Sequence, residues 1–200
     1  MSKLEFWFDF ASTYSYLTAM RIDRLGAEAG IEIVWRPFLL GPIFAAQGWN
    51  TSPFNLYPAK GRYMVRDIQR IAEARGIAFV MPQVFPARSL MAARTALAFD
   101  NTVWSRQFSR AVFEAQFQRG ADISDTETLK DLIAGSNSPD DPASILECAR
   151  SERVKQRLRA QSERAVELGI FGAPTLVATD GELFWGDDRA EQAVVWAQQL

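Results

Sequence analysis

The chain opens on a dense apolar run, Leu4 to Phe10 (LEFWFDF), which predicts a buried strand. Small and polar residues follow at Ala11-Ser12-Thr13, and Tyr14 to Ala29 reads as a helix ending at Gly30. Ile31 to Trp35 predicts a second strand, stopped by Pro37. A strand–helix–strand unit of this length calls for parallel strands and a right-handed crossover. Between 37 and 60 the periodicity is lost: prolines at 37, 42, 53 and 58, with Gly41, Gly48 and Asn50, predict an irregular segment. Such segments inside compact folds often carry function. From 62 to 75, Met64, Ile68, Ile71 and Ala72 form the apolar stripe of an amphipathic helix that Gly76 closes. Helical patterns continue over 89–100 and 103–118, the latter with Trp104, Phe108, Ala111, Val112 and Ala115 on one face. Ser124 or Asp125 caps a helix through Ile133; Asp141-Pro142 reads as an N-cap with proline at the first helical position; Ser151 restarts a helix toward Leu168, with Gly169 as the stop. Strand character returns at Ala173–Ala178 and Glu182–Trp185 around an Asp180-Gly181 turn, and Gly186–Arg189 leads into a last helix.

This order, β-α-β, then helices, then β-β-α, matches an α/β thioredoxin-like fold. Residues 1–37 and 165–200 make the thioredoxin-like domain, and 38–164 a mainly helical insertion. With 200 residues, 48% of them hydrophobic, one compact fold with an insertion is expected. A net charge of −2, with 22 dispersed Lys and Arg, argues against nucleic acid as a partner. No apolar run approaches the roughly 18–20 residues that span a bilayer, so no membrane partner is expected. Met1–Glu5 lacks a signal peptide's apolar core, which gives a cytoplasmic expectation. Two absences restrict the chemistry more. Without histidine there is no Ser-His-Asp triad, Cys-His dyad or imidazole metal site. With one cysteine, Cys148, there is no CxxC pair and no internal disulfide.

Ser12 and Ser15 occupy the turn where a thioredoxin-like fold places its redox pair. A serine without a base is a poor nucleophile, but it can donate a hydrogen bond to a bound thiolate, and a helix N-terminus favours an anion there. Serine is equally a preferred helix cap, and position alone fits that simpler role. Ala173-Pro174 falls where thioredoxin-like proteins carry a cis-proline facing this turn; an ordinary strand-starting proline is the alternative. Asp187 and Asp188 either cap the last helix or receive the α-ammonium of a glutamyl group. Lys60 is either a surface lysine or a partner for a ligand carboxylate. Asn50 and Asn55 either orient a ligand or stabilise turns. Trp49, Phe54 and Tyr57 pack the irregular segment or line a pocket for an aromatic compound. Arg94, on an otherwise apolar stripe, either snorkels or pairs with a buried carboxylate such as Asp9. Cys148 reads as a small buried hydrophobe, and Trp7 and Trp35 as core.

Four segments in sequence order, FWFDFASTYSYL (6–17), PAKGRYMVRDIQRIA (58–72), GIFGAPT (169–175) and FWGDDR (184–189), carry a resemblance across nearly the whole chain. They are similar to the 2-hydroxychromene-2-carboxylate isomerase family, relatives of kappa-class glutathione transferases in the DsbA-like thioredoxin superfamily. The resemblance implies glutathione as cofactor, a small aromatic or electrophilic substrate, and a homodimer. It implies that Ser12 hydrogen-bonds the glutathione sulfur and that the backbone of Ala173 holds the peptide. By the same resemblance Asp187 and Asp188 contact the γ-glutamyl end, Lys60 reaches glutathione, and Asn50 or Asn55 lies near glutathione or substrate. The implied reaction is isomerisation of 2-hydroxychromene-2-carboxylate to trans-o-hydroxybenzylidenepyruvate, a step in naphthalene catabolism. Two departures stand out. Thr13 replaces the usual proline, altering the turn and adding a hydroxyl near the sulfur, and Asp187 replaces the usual Ser or Asn. A kappa-like transferase acting on electrophiles, or a non-catalytic module that binds a thiol or peptide, would share most of these residues.

Overall fold

The computed structural model describes residues 2–49, 51–100 and 102–200. Four strands, β1 (Lys3–Phe8), β2 (Glu32–Pro37), β3 (Thr175–Ala178) and β4 (Leu183–Trp185), form one sheet in the order β2-β1-β3-β4. β1 runs parallel to β2 and antiparallel to β3, and β3 is antiparallel to β4. Strands from the two ends of the chain therefore meet at the centre of the sheet. β2 runs on to Pro37, opposite Phe8, where the sequence placed a stop. It is an edge strand, and an edge tolerates a residue that cannot donate a ladder hydrogen bond.

The helix expected over 14–29 is two: α1 (Thr13–Ala19) and α2 (Ile22–Ala29), the second closed by Gly30 in the left-handed conformation. Neither proline nor glycine marks the break. It falls at Arg21, which leaves helical geometry (φ −136°, ψ −18°), and whose side chain is bound to Asp187. The segment expected to be irregular carries α3 (Leu40–Ala46) and α4 (Pro53–Leu56), and the next helix, α5 (Pro58–Arg75), starts four residues earlier than the expected 62. Pro42 sits in the first turn of α3, and Pro53 and Pro58 open α4 and α5. They act as helix starters where the sequence reading took them for breakers. Three of the remaining helices follow the expected caps, α8 (Thr126–Ala134) after Asp125, α9 (Pro142–Arg150) after Asp141 and α10 (Glu152–Glu167) after Ser151, while α6 (Leu90–Ala98), α7 (Val103–Arg119) and α11 (Ala190–Ala197) lie in the segments expected to be helical.

Successive residues of β1 point to opposite faces of the sheet, and both faces are covered. Leu4, Phe6 and Phe8 join a core that includes Tyr16 of α1 and Phe113 and Phe117 of α7. Trp7 and Val177 pack on the other side with Phe38, Ile43 of α3, Ala165 of α10 and Ile170. Ring contacts of Phe8 and Phe10 with Phe113, at 5.7 and 4.9 Å, bind the helical middle of the chain to the sheet in one continuous core. Trp7 and Trp35 are core residues as expected, at 3% and 5% exposure. Cys148 is only half-buried, since its neighbours Ile145, Leu146 and Ala149 take the inward positions. Among the described residues no helix is long and apolar enough to cross a membrane.

Candidate active site

The turn after β1 begins with a buried carboxylate. Asp9 accepts hydrogen bonds from Ala11 N (2.9 Å) and the Ser89 hydroxyl (2.7 Å) on one oxygen, and from Leu40 N (2.8 Å) on the other. It thereby ties the turn, the start of α3 and the segment before α6 to one point. Burial pushes its carboxyl up from the ordinary range, and the three donors pull against that. Arg94 is not its partner: both Asp9 oxygens take those donors, and the buried Nε of Arg94 has no hydrogen-bond acceptor.

Ser12 follows as the N-cap of α1, its oxygen accepting from Ser15 N at 3.1 Å. The same hydroxyl donates to the carbonyl oxygen of Ala173 at 2.9 Å. Ala173-Pro174 is a cis peptide bond, and Pro174 O in turn accepts from Gly186 N at 2.9 Å. Three motifs read separately along the sequence thus meet in one hydrogen-bonded chain: Ser12, Ala173-Pro174 and the Gly186 turn. With only seven residues, α1 contributes a short dipole, so the Ser12 hydroxyl is the principal polar group at its end. Thr13 does not add a hydroxyl beside it. The Thr13 side chain is buried and donates inward to Met64 Sδ at 3.4 Å.

These groups line a cavity of about 1220 Å³, larger than the roughly 300–1,000 Å³ of an ordinary ligand pocket. One wall comes from the sheet side: the Ser12 turn, Phe171–Pro174 and Trp185–Asp188. Facing it are Phe44 of α3, Trp49, Phe54 of α4, Lys60, Tyr63 and Asp67 of α5, and residues 85–90. Close approach shapes the sheet-side wall, since a Cβ on Gly172 would lie 2.4 Å from the Trp185 indole nitrogen. Trp185 packs on Phe171 with ring centroids 4.9 Å apart, and both remain about half exposed.

The two aspartates of the Gly186 turn separate. Asp187 is 2% exposed and its carboxylate faces arginines: Oδ1 lies 3.1 Å from Arg21 Nε and accepts from Thr18 Oγ1 at 3.0 Å, while Oδ2 is 2.7 Å from Arg75 Nη1. The Arg75 contact is an ion pair lacking hydrogen-bond alignment, as Oδ2 has no hydrogen-bond partner. Burial lowers the Arg21 pKa, but its bonds and charge contacts with Glu191 and Asp187 outweigh this and leave it raised. Asp188, by contrast, is exposed, paired with Arg189 at 3.1 Å, and on the cavity wall.

Lys60 lines the cavity from the first turn of α5, its ammonium 4.9 Å from the Tyr57 ring centroid. Asn55 is not brought to Ser12. It donates to Thr51 Oγ1 (3.1 Å) and Phe85 O (3.3 Å) and lines a separate groove of about 400 Å³. Phe54 and Phe85 border both spaces and stand between them. Asn50 lies outside the described residues. Tyr14, Asp67 and Arg88 are among the cavity residues that the sequence did not single out. Tyr14 donates to Asp67 at 2.9 Å, and burial followed by the Asp67 interaction pushes its phenol up. Arg88 lies in the 76–89 connection between α5 and α6, whose length was the available signal.

The chain matches the DSBA-like thioredoxin domain over residues 3–194. It belongs to the DSBA-like thioredoxin family. In place of that family's redox pair it carries Ser12-Thr13-Tyr14-Ser15. A 2-hydroxychromene-2-carboxylate isomerase of Pseudomonas sp. (strain C18) is 30% identical over 188 residues, covering 93% of this chain and 85% of the relative. Human glutathione S-transferase kappa 1 is 28% identical, covering 94% and 87%. A solved 2-hydroxychromene-2-carboxylate isomerase superposes with a TM-score of 0.86 at 25% identity, covering 98% of this chain and 95% of the other. A cytosolic disulfide reductase, DsbM from Pseudomonas aeruginosa, solved with GSH, shares the fold at a TM-score of 0.68 and 14% identity, covering 98% and 95%.

Proposed function

We propose that this chain is a glutathione-dependent isomerase that converts 2-hydroxychromene-2-carboxylate to trans-o-hydroxybenzylidenepyruvate. The observation that carries the reading is the 2.9 Å bond from the Ser12 hydroxyl to Ala173 O inside a cavity too large for one small ligand. Its relatives, named as isomerases and kappa transferases, supply the reaction class.

The residues present fit glutathione. Ala173, before the cis-proline, offers a carbonyl that an incoming peptide N–H would take over. Released from that carbonyl, the Ser12 hydroxyl turns to the sulfur, while Ser15 N keeps the oxygen in place from behind. Lys60 and Asp188 both line the cavity, and in this reading Lys60 takes a terminal carboxylate and Asp188 the glutamyl ammonium. Asp187 serves the same turn from beneath, held by Arg21 and Arg75. Bound there, glutathione would supply a thiolate for reversible conjugate addition to the chromene once its hemiketal C–O bond has opened, so that the former double bond could rotate before the C–S bond breaks and the thiolate is regenerated. The chain's own work is to hold that sulfur ionised, to fix both ligands, and to line the acceptor space with Phe44, Trp49 and Phe171. Residues 38–164 act as the insertion that brings Phe44 and Trp49 to this space, facing Phe171 on the sheet side.

Turnover assays with glutathione test the assignment. The chromene carboxylate is expected to be isomerised and a chlorodinitrobenzene electrophile to react weakly. Activity on the electrophile alone would replace the isomerase reading with a kappa-like transferase. Glutathione binding without turnover of either would leave a binding module.

A further inference from the structure

With Lys60 and Asp188 assigned to glutathione, the cavity retains one cation without a role. Lys60 and Arg88 are the two cationic residues on its described wall. Arg88 is exposed to the cavity and, among the described residues, makes no ion pair or hydrogen bond. Arg21 and Arg75, by contrast, are taken by Asp187, and Arg70 by Asp67 at 2.9 Å, while Arg62 and Arg66 line the separate groove.

The backbone of Arg88 is fixed close to the Ser12 turn. The next residue, Ser89, is 6% exposed and donates to Asp9 Oδ1 at 2.7 Å; the same oxygen accepts from Ala11 N at 2.9 Å. A short chain of bonds thus sets Arg88 relative to Ser12, whatever the side-chain rotamer. The surrounding wall is apolar, including Phe85, Leu90 and the Phe44–Trp49 pair with centroids 5.7 Å apart. A guanidinium beside such a wall fits a flat ring bearing a carboxylate, which its planar fork binds through two parallel hydrogen bonds.

Resting on the glutathione reading above, we propose that Arg88 is the specificity-determining residue for the second substrate, binding its carboxylate and favouring an aromatic acid over a neutral aromatic. Lys60 then serves glutathione and Arg88 the acceptor. The two cations divide the cavity between the two ligands.

Binding separates this from catalysis. Coumarin-3-carboxylate and uncharged coumarin are titrated by calorimetry into protein saturated with S-methylglutathione, whose blocked sulfur cannot add to either probe. The wild type is expected to prefer the acid. Arg88→Gln should weaken the acid about tenfold or more, as loss of a charge-assisted pair does, and leave coumarin within about twofold. Arg88→Lys should fall between, keeping the charge without the fork. The proposal is overturned if the wild type shows no preference, if Arg88→Gln weakens both probes equally or neither, or if it weakens glutathione itself. The ionisation of the bound thiol, which belongs to Ser12, should be the same in Arg88→Gln and wild type. A failure of Arg88 therefore leaves the Ser12 reading standing, and a failure of Ser12 is read from the thiol alone.

Discussion

Capping and thiol recognition at Ser12 need not compete. One oxygen accepts from Ser15 N while its hydrogen donates to Ala173 O, so the cap leaves the donor available. The sequence showed Ser12 and Ala173 as candidates, but the bond between them spans most of the chain and no local pattern encodes it. Asp187 and Asp188 make the opposite point. As neighbours in GDDR they read alike, and burial separates them. Asp187→Ala would leave the buried Arg21 with only the exposed Glu191 as a charged partner and is expected to cost about 3 kcal/mol, the order for breaking a buried pair, measured by urea unfolding. Asp188→Ala should leave stability within about 0.5 kcal/mol and weaken glutathione binding instead. The reverse pattern would undo the division of roles argued here.

At the level of elements, strands and capped helices were legible because each carries its own signal: alternating or dense apolar runs, Asp or Ser before a helix, glycine after it. The 37–60 segment misled because proline has two meanings, and position decides between them. Pro53 and Pro58 open α4 and α5 where the missing N–H costs nothing. The break between α1 and α2 was illegible because its visible partner, Asp187, is far away in sequence. Gly61 shows how tightly α4 is set on α5: a Cβ there would lie 2.4 Å from the Phe54 carbonyl oxygen. Gly61→Ala should therefore displace α4 and cost about 1–3 kcal/mol in thermal or chemical unfolding. Because Phe54 and Phe85 stand between the cavity and the smaller groove, near-native stability with unchanged ligand binding would contradict that placement.

For the molecule as a whole, the order of elements indicated a thioredoxin-like sheet with a helical insertion, and the sheet has the expected pairing. The cavity itself was not legible. Its size depends on how α3, α4, α5 and residues 85–90 stand off the sheet, and Asp9 ties two of these parts, the start of α3 and Ser89, to the Ala11 turn. Sequence offered that carboxylate only as a partner for Arg94. In the function proposed here, a chain with no histidine and one cysteine borrows its thiol from glutathione, and its task is to keep that thiol ionised. The most direct test is an ultraviolet titration of thiolate absorbance for glutathione bound to wild type and to Ser12→Ala. The wild type should ionise bound glutathione well below the about 8.5 of an ordinary thiol, and Ser12→Ala should raise that value by about one unit or more. Identical titrations in the two proteins would contradict the role given to Ser12.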